Sequence, residues 1–332
     1  MRTAPACHVP PAVGGDGRFV VPRAGPAYLR TWEEGHLSEK VEQALDALHP
    51  CHVCPRPCRG VDRLSDQIGG CRTGRYARVV SAGPHRGEED VLRGDVGSGT
   101  IFFSGCNLRC VFCQNWEISQ RPAGRECSPT ELARLMVRLQ EAGCHNINLV
   151  TPEHVVPQVL EALPYAVAGG LRLPLVYNTS AYDGPETIDL LDGVVDVYMP
   201  DLKLWDAQRC RRYLGVGGYA AVARDVVRRM HEQVGVLTVA ADGVAVRGLL
   251  VRHLVLPGLL DDTRAILAFL AALSPDTYVN VMDQYRPDWR VPGNPRYAAL
   301  DRGTSRAEWT QALAFAREVG LWRLDTRWRP MW

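Results

Sequence analysis

The stretch "GTIFFSGCNLRCVFCQNWE", from Gly99 to Glu117, constrains this chain more than any other. An apolar run of strand-forming residues stops at a glycine. Cys106, Cys110 and Cys113 follow at once, with no fourth cysteine nearby. Three thiolates on one loop can hold three irons of a cubane cluster. A four-iron cluster ordinarily takes four cysteines. A missing ligand leaves one iron open, and an open position is what separates a reactive site from a structural one. Zinc pairs repeat Cys-x2-4-Cys at a distance, so the spacing here is unlike theirs.

The run before the thiols is the first of several. Thr100–Ser104, 146–151, 174–179, 195–200, 249–256 and 278–282 are short, nearly continuous and apolar, as buried parallel strands are. Helical patterns lie between them. In "SPTELARLMVRLQEAG", Ser128 reads as the N-cap, Pro129 opens the first turn and Glu131 completes a capping box. "GYAAVARDVVRRMHEQVG" reads as a second helix. "VLTVAADGVAVRG" reads as a hairpin turning at Asp242-Gly243. The alternation predicts an α/β fold, a partial (β/α)6 barrel with its chemistry at the C-terminal strand ends.

The rest of the chain divides around that barrel. Residues 1–30 read as a flexible lead, 31–98 as a cysteine-rich extension, and 99–332 as the barrel with a C-terminal extension. Within the extension, Cys51, Cys54, Cys58 and Cys71 stand in a segment without apolar period, which needs a bound metal or cluster to hold it. An all-sulfur set suits zinc or an iron–sulfur cluster equally. The eleven cysteines of the 332-residue chain are an odd number and fall mostly into these two groups, which favours ligation over disulfides. The net charge of +1 points to no nucleic acid and no membrane surface, and no apolar run is long enough to cross a bilayer. The N-terminus lacks the apolar core of a signal peptide, so a cytoplasmic location is expected.

On Cys106-x3-Cys110-x2-Cys113, with Phe112 before the last cysteine, the chain resembles the radical S-adenosylmethionine (SAM) superfamily. The resemblance implies a [4Fe-4S] cluster whose open iron binds SAM, which is then cleaved to methionine and a 5′-deoxyadenosyl radical. "CQNWEISQ", "HNINLVTPEHV", "VYNTSAYD", "DVYMPDLKLWD", "RHLVLPG" and "NVMDQYRP" resemble the branch of pyruvate formate-lyase activating enzyme. By that resemblance Phe112 touches adenine, Asn178 and Arg252 reach the ribose or carboxylate of SAM, and Asp201 and Lys203 match an Asp-x-Lys pair. Glu153 is expected to hold the SAM amino group, although Thr151-Pro152-Glu153-His154 stands where many relatives have Gly-Gly-Glu. Gln284 stands in place of a SAM-contacting histidine. The resemblance favours an auxiliary [4Fe-4S] cluster on Cys51, Cys54, Cys58 and Cys71, with zinc as the alternative, and implies a flavodoxin- or ferredoxin-type electron donor.

Cys210 follows Asp201 and Lys203, on the side expected to carry the chemistry. A thiol can return a hydrogen atom to a carbon radical. Only Lys40 and Lys203 among the 38 basic residues are lysines, a bias that GC-rich coding produces, as in antibiotic producers. Together these suggest a resemblance to radical SAM sugar epimerases of antibiotic biosynthesis, the avilamycin type among them. Cys210 would be the donor, and a small molecule, an oligosaccharide included, the substrate. The alternative is an activating enzyme that installs a glycyl radical on a partner protein.

Overall fold

Six parallel strands carry the molecule, and their order is the order of the chain. The computed structural model describes residues 17–121 and 123–325; Cys7 lies outside them. The strands are β1 (Ala77–His85), β2 (Ser98–Phe103), β3 (Arg125–Cys127), β4 (Ile147–Val150), β5 (Leu175–Thr179), β6 (Val197–Pro200), β7 (Thr238–Val239), β8 (Ala245–Leu254) and β9 (Tyr278–Met282). Strands β2, β4, β5, β6, β8 and β9 pair side by side, all parallel. Among the described residues β9 does not pair with β2, so the sheet curls without closing. This is the partial barrel that the six apolar runs predict.

The strand ends are legible because both faces are covered. Every residue of β5, β6 and β9 is buried. One apolar cluster, including Val176, Val197, Met199, Leu250 and Tyr278, also takes in Val91 and Leu92. The latter two belong to the short helix α3 (Asp90–Arg93), the third helix after α1 (Ala27–Glu33) and α2 (His36–Asp46). The larger apolar cluster contains Leu132, Leu135, Met136 and Leu139 of α4 (Pro129–Glu141). The capping box of α4 forms as read: Ser128 Oγ accepts from the Glu131 N–H, and Glu131 accepts from the Ser128 N–H at 2.8 Å. Ser128→Ala is expected to lower stability by about 1 kcal/mol, measurable as a reduced denaturation midpoint with an unchanged slope. The hairpin at Asp242-Gly243 also forms, with β7 antiparallel to β8.

Two readings need correction. Helix α1 begins inside the segment read as a flexible lead, Phe19 is buried, and Val20 bridges Val239. Isolated apolar anchors rather than a periodic pattern pin this stretch, so composition alone hid it. The stretch read as extension also contributes β1, which pairs antiparallel with β2 along the edge of the main sheet. Its outer half is solvated, so it lacks the continuous apolar run of its neighbours.

Candidate active site

The C-terminal ends of the parallel strands surround a cavity of about 400 Å³, lined by Cys106, Cys110, Cys113, Asn178, Asp201, Lys203, Arg252 and Gln284 among others. A second chamber of about 250 Å³ shares Cys110, Cys113, Asp201, Lys203, Arg252 and Gln284 and adds Phe112, Leu254 and Leu256. The loop after β2 delivers all three cysteines here because Gly105, at φ +85°, turns the chain where a Cβ would stand 2.5 Å from the Cys71 carbonyl.

The thiols are arranged as ligands. Cys106 Sγ accepts the Leu108 N–H at 3.3 Å, and Cys113 Sγ lies 3.2 Å from Ser119 Oγ. Hydrogen bonds to sulfur orient and tune cluster ligands. Burial pushes the Cys110 thiol up to about 12, so it ionises only when a metal takes the proton's place. Phe112 is buried beside them, edge-on to Tyr285 at 6.0 Å between ring centres.

The charged pairs sit across the cavity. Lys203 Nζ donates to Asp201 Oδ2 at 2.7 Å. Burial alone would lower the lysine, but the Asp201 carboxylate holds it well above its ordinary value. Tyr219 fixes this corner: its hydroxyl donates to the Asp201 carbonyl at 2.7 Å and accepts the Lys203 N–H at 3.0 Å. Arg252 is already engaged. Its Nε donates to Glu89 Oε1 at 2.8 Å, and its Nη2 to Glu88 Oε2 and Glu89 Oε2, both at 2.5 Å. Asn280 Nδ2 adds a bond to Glu89 at 2.7 Å, and His85 Nδ1 lies 3.0 Å from Glu88. Burial would raise the Glu89 carboxyl, yet Arg252 and Asn280 hold it below the usual range. The motif reading missed Glu88 and Glu89, because a Glu-Glu-Asp run reads as solvated charge. They lie next to α3, whose Val91 and Leu92 belong to the buried cluster.

Two expected site residues are not at the cavity. Glu153 is fully buried and is not among its lining residues; Oε1 accepts from Ser180 Oγ at 2.6 Å, and Oε2 has no partner among the described residues. Burial first, and the Asp183 carboxylate second, raise its affinity for a proton. The rim is formed instead by Thr151, Asn178, Thr179 and Ser180. Thr151 holds φ +60°, a strained value for a β-branched residue, at a cost of the order of 1–3 kcal/mol. Cys210 is also fully buried, in a π-helical turn at Cys210–Leu214, and lines neither chamber. The turn folds Cys210, Tyr213 and Leu214 into the core, so position along the chain misplaced this thiol.

The second cysteine set packs against the first. Asn107, next to Cys106, accepts from Arg56 of the second set's segment through its carbonyl and donates its side-chain amide to the Tyr182 carbonyl at 2.6 Å. Arg109 donates to the Gly70 carbonyl beside Cys71. Arg63, only 1% exposed, points Nη1 at Cys51 Sγ (3.9 Å) and has no carboxylate partner among the described residues; its Nη2 has no partner there either. A buried cation without a counter-charge is costly. Four thiolates around a metal group carry the negative charge that this arginine lacks, so the residues fit such a group. Among the described residues no three Cys, His, Asp or Glu side chains converge on a single-ion site.

Comparison with known proteins decides the family. Residues 100–271, more than half of the chain, match the model of the Radical SAM superfamily. This chain is a member of the radical SAM superfamily. Among its relatives is an uncharacterized protein of Methanocaldococcus jannaschii, MJ0674, 33% identical over 295 residues that cover 86% of this chain and 79% of the relative. A second, MJ0808 from the same organism, is 32% identical over 102 residues, 26% of this chain and 31% of that one. Solved structures include Streptococcus suis SuiB bound to precursor peptide SuiA (TM-score 0.43, 14% identity, 64% of this chain and 43% of that one). HydG, a maturase of the [FeFe]-hydrogenase, is another (TM-score 0.46, 13% identity, 65% and 47%). The matched part spans less than half of either structure. Membership implies that this radical SAM chain uses a [4Fe-4S] cluster and SAM. No helix among the described residues is long and apolar enough to cross a membrane.

Proposed function

We propose that Cys106, Cys110 and Cys113 hold the SAM-binding cluster, and that the enzyme abstracts a hydrogen atom from a substrate that carries the resulting radical away, as an activating enzyme does. The cluster and SAM together supply a 5′-deoxyadenosyl radical at the cavity; this is their whole contribution. The protein's own residues orient and shield. Asn178, Gln284 and the ion pair Lys203–Asp201 offer polar contacts to SAM across the 400 Å³ cavity. Phe112 and Leu256 give the adjoining chamber the apolar wall that an adenine ring would use. Arg252, clamped by Glu88 and Glu89, presents a cation fixed in place rather than a mobile one.

The observation that carries the activating reading is the burial of Cys210. Among the described residues, the only thiols lining the cavity are Cys106, Cys110 and Cys113. A substrate radical formed there meets no spare thiol to quench it, which suits a radical that leaves with the product. Sugar-carbon epimerisation stays as the second reading, and it then needs a hydrogen donor other than Cys210. For the second cysteine set, an auxiliary [4Fe-4S] cluster is the proposal, supported by its contact with the first set.

The test is Cys210→Ala in anaerobically reconstituted protein. The variant is expected to form 5′-deoxyadenosine at the wild-type rate. Mixed with its partner, it is expected to give the same glycine-centred radical signal in electron paramagnetic resonance. A variant that still makes 5′-deoxyadenosine but loses incorporation of one solvent deuterium into a sugar product would instead restore the epimerase reading with Cys210 as donor.

A further inference from the structure

We propose that His85 is a substrate-binding residue: held by Glu88, its ring offers Nε2 as an acceptor to a backbone N–H of a glycine-containing peptide segment. This deepens the activating reading and rests on it.

The cavity has two ends. The smaller chamber, with Phe112 and Leu256, is the adenine end. The larger chamber shares Cys110, Cys113 and Arg252 with it and continues to an end lined by His85, Gly87, Glu88, Phe102 and Val150. None of these five lines the smaller chamber. With adenine against Phe112, this end is what remains for substrate. A single drug-sized ligand takes a cavity of about 300–1,000 Å³. Chambers of about 400 and 250 Å³ that also hold SAM leave room for a small group, a glycine residue rather than a sugar ring.

His85, Gly87 and Glu88 precede residues 100–271, the part that matches the superfamily. The shared part carries the radical chemistry, so an added wall on the same cavity is placed to select the substrate. This end also reaches solvent: the His85 side chain is 46% exposed, against 6% for Glu88. A segment of a second protein can enter past His85.

The ring is held in one orientation. Its Nδ1 lies 3.0 Å from Glu88 Oε1. A carboxylate only accepts, which assigns the proton to Nδ1 and leaves Nε2 of the neutral ring as a lone-pair acceptor. Nε2 has no hydrogen-bond partner among the described residues. Glu88 is itself fixed, since its Oε2 accepts from Arg252 Nη2 at 2.5 Å. Phe102 meets the ring edge-on at 6.1 Å between centres. Gly87 makes room for it: a Cβ there would stand 2.5 Å from His85 Cε1. Support of this kind is what a group needs to meet a ligand in one geometry. An acceptor calls for a donor, and a glycine residue has no donor but its backbone N–H.

The experiment uses the full chain with its clusters reconstituted anaerobically, and a heptapeptide whose single, central glycine is dideuterated at Cα. Abstraction breaks a C–D bond at the glycine and forms one at the 5′ carbon, so labelled 5′-deoxyadenosine reports the step. His85→Phe keeps a ring and removes its nitrogens. It is expected to raise KM for the peptide about tenfold, the worth of one hydrogen bond, with kcat little changed. His85→Gln, whose carbonyl can accept in place of Nε2, is expected to recover most of that loss. Glu88→Gln lets either ring nitrogen take the proton and is expected to raise KM by a smaller factor, again with little effect on kcat. Iron content and the shift in g-values on adding SAM should match wild type in all three, which shows that the cluster end is intact. A wild-type KM in His85→Phe overturns the role of His85 and leaves the activating reading standing. An equal rise in KM in His85→Phe and His85→Gln assigns the effect to packing and overturns that role as well. Label taken from a ring-deuterated methyl glycoside and none from the peptide overturns the activating reading and this proposal with it, as does label from neither.

Discussion

Cys110→Ala is expected to remove about four iron atoms per chain and reduce 5′-deoxyadenosine formation to background, while the iron at the second set remains. The argument is one of ligand number. With three thiols the first site has no ligand to spare, since Cys106, Cys110 and Cys113 are the only cysteines lining the cavity among the described residues. The second set has four cysteines of its own, and Arg63 supplies a buried positive charge beside them. The two sets touch through Asn107 and Arg109 but share no cysteine, so loss of the first should spare the second. Iron and zinc contents measured on the variant check both statements. About four irons retained, without zinc, support an auxiliary cluster; zinc in their place assigns the second set to a structural metal.

Glu89→Ala is expected to destabilise the folded protein by about 2–4 kcal/mol, a fall in melting temperature of about 5–10 °C. Glu89 is 2% exposed and takes two bonds from Arg252 and one from Asn280. Removing it leaves the half-buried Arg252 guanidinium on Glu88 alone and frees an amide on β9. The cost comes from the three hydrogen bonds lost and the freed Asn280 amide, since Glu88 still faces Arg252. Adding Arg252→Met to Glu89→Ala is expected to cost further stability, because Glu88 is then left buried without its guanidinium. Thermal melts of the single and double variants measure this. A single variant as stable as wild type would mean that Glu88 suffices to hold Arg252.

The residues explain which parts of this molecule were legible from the chain alone. Thr100–Ser104 and Tyr278–Met282 were readable as strands because parallel strands buried on both faces become unbroken apolar runs. Ser128 and Glu131 were readable because a capping box is a local device. Glu88 and Glu89 were not, since their meaning depends on Arg252, whose hydrogen bonds to them span 164 and 163 residues of chain. Cys210 was misplaced for the opposite reason. Its position after Asp201 and Lys203 suggests the cavity mouth, but a π-helical turn folds it into the core. Glu153 followed the resemblance rather than its surroundings, and the strained Thr151 before it marks where the local path leaves the Gly-Gly-Glu pattern.

The central claim is that the loop of Cys106, Cys110 and Cys113 holds a cluster with one iron open to SAM. Electron paramagnetic resonance of the dithionite-reduced protein, recorded with and without SAM, tests it most directly. The account predicts a [4Fe-4S]1+ signal whose g-values shift on adding SAM, and no such shift in Cys110→Ala. A spectrum that SAM leaves unchanged, in protein loaded with iron at both sets, would contradict it.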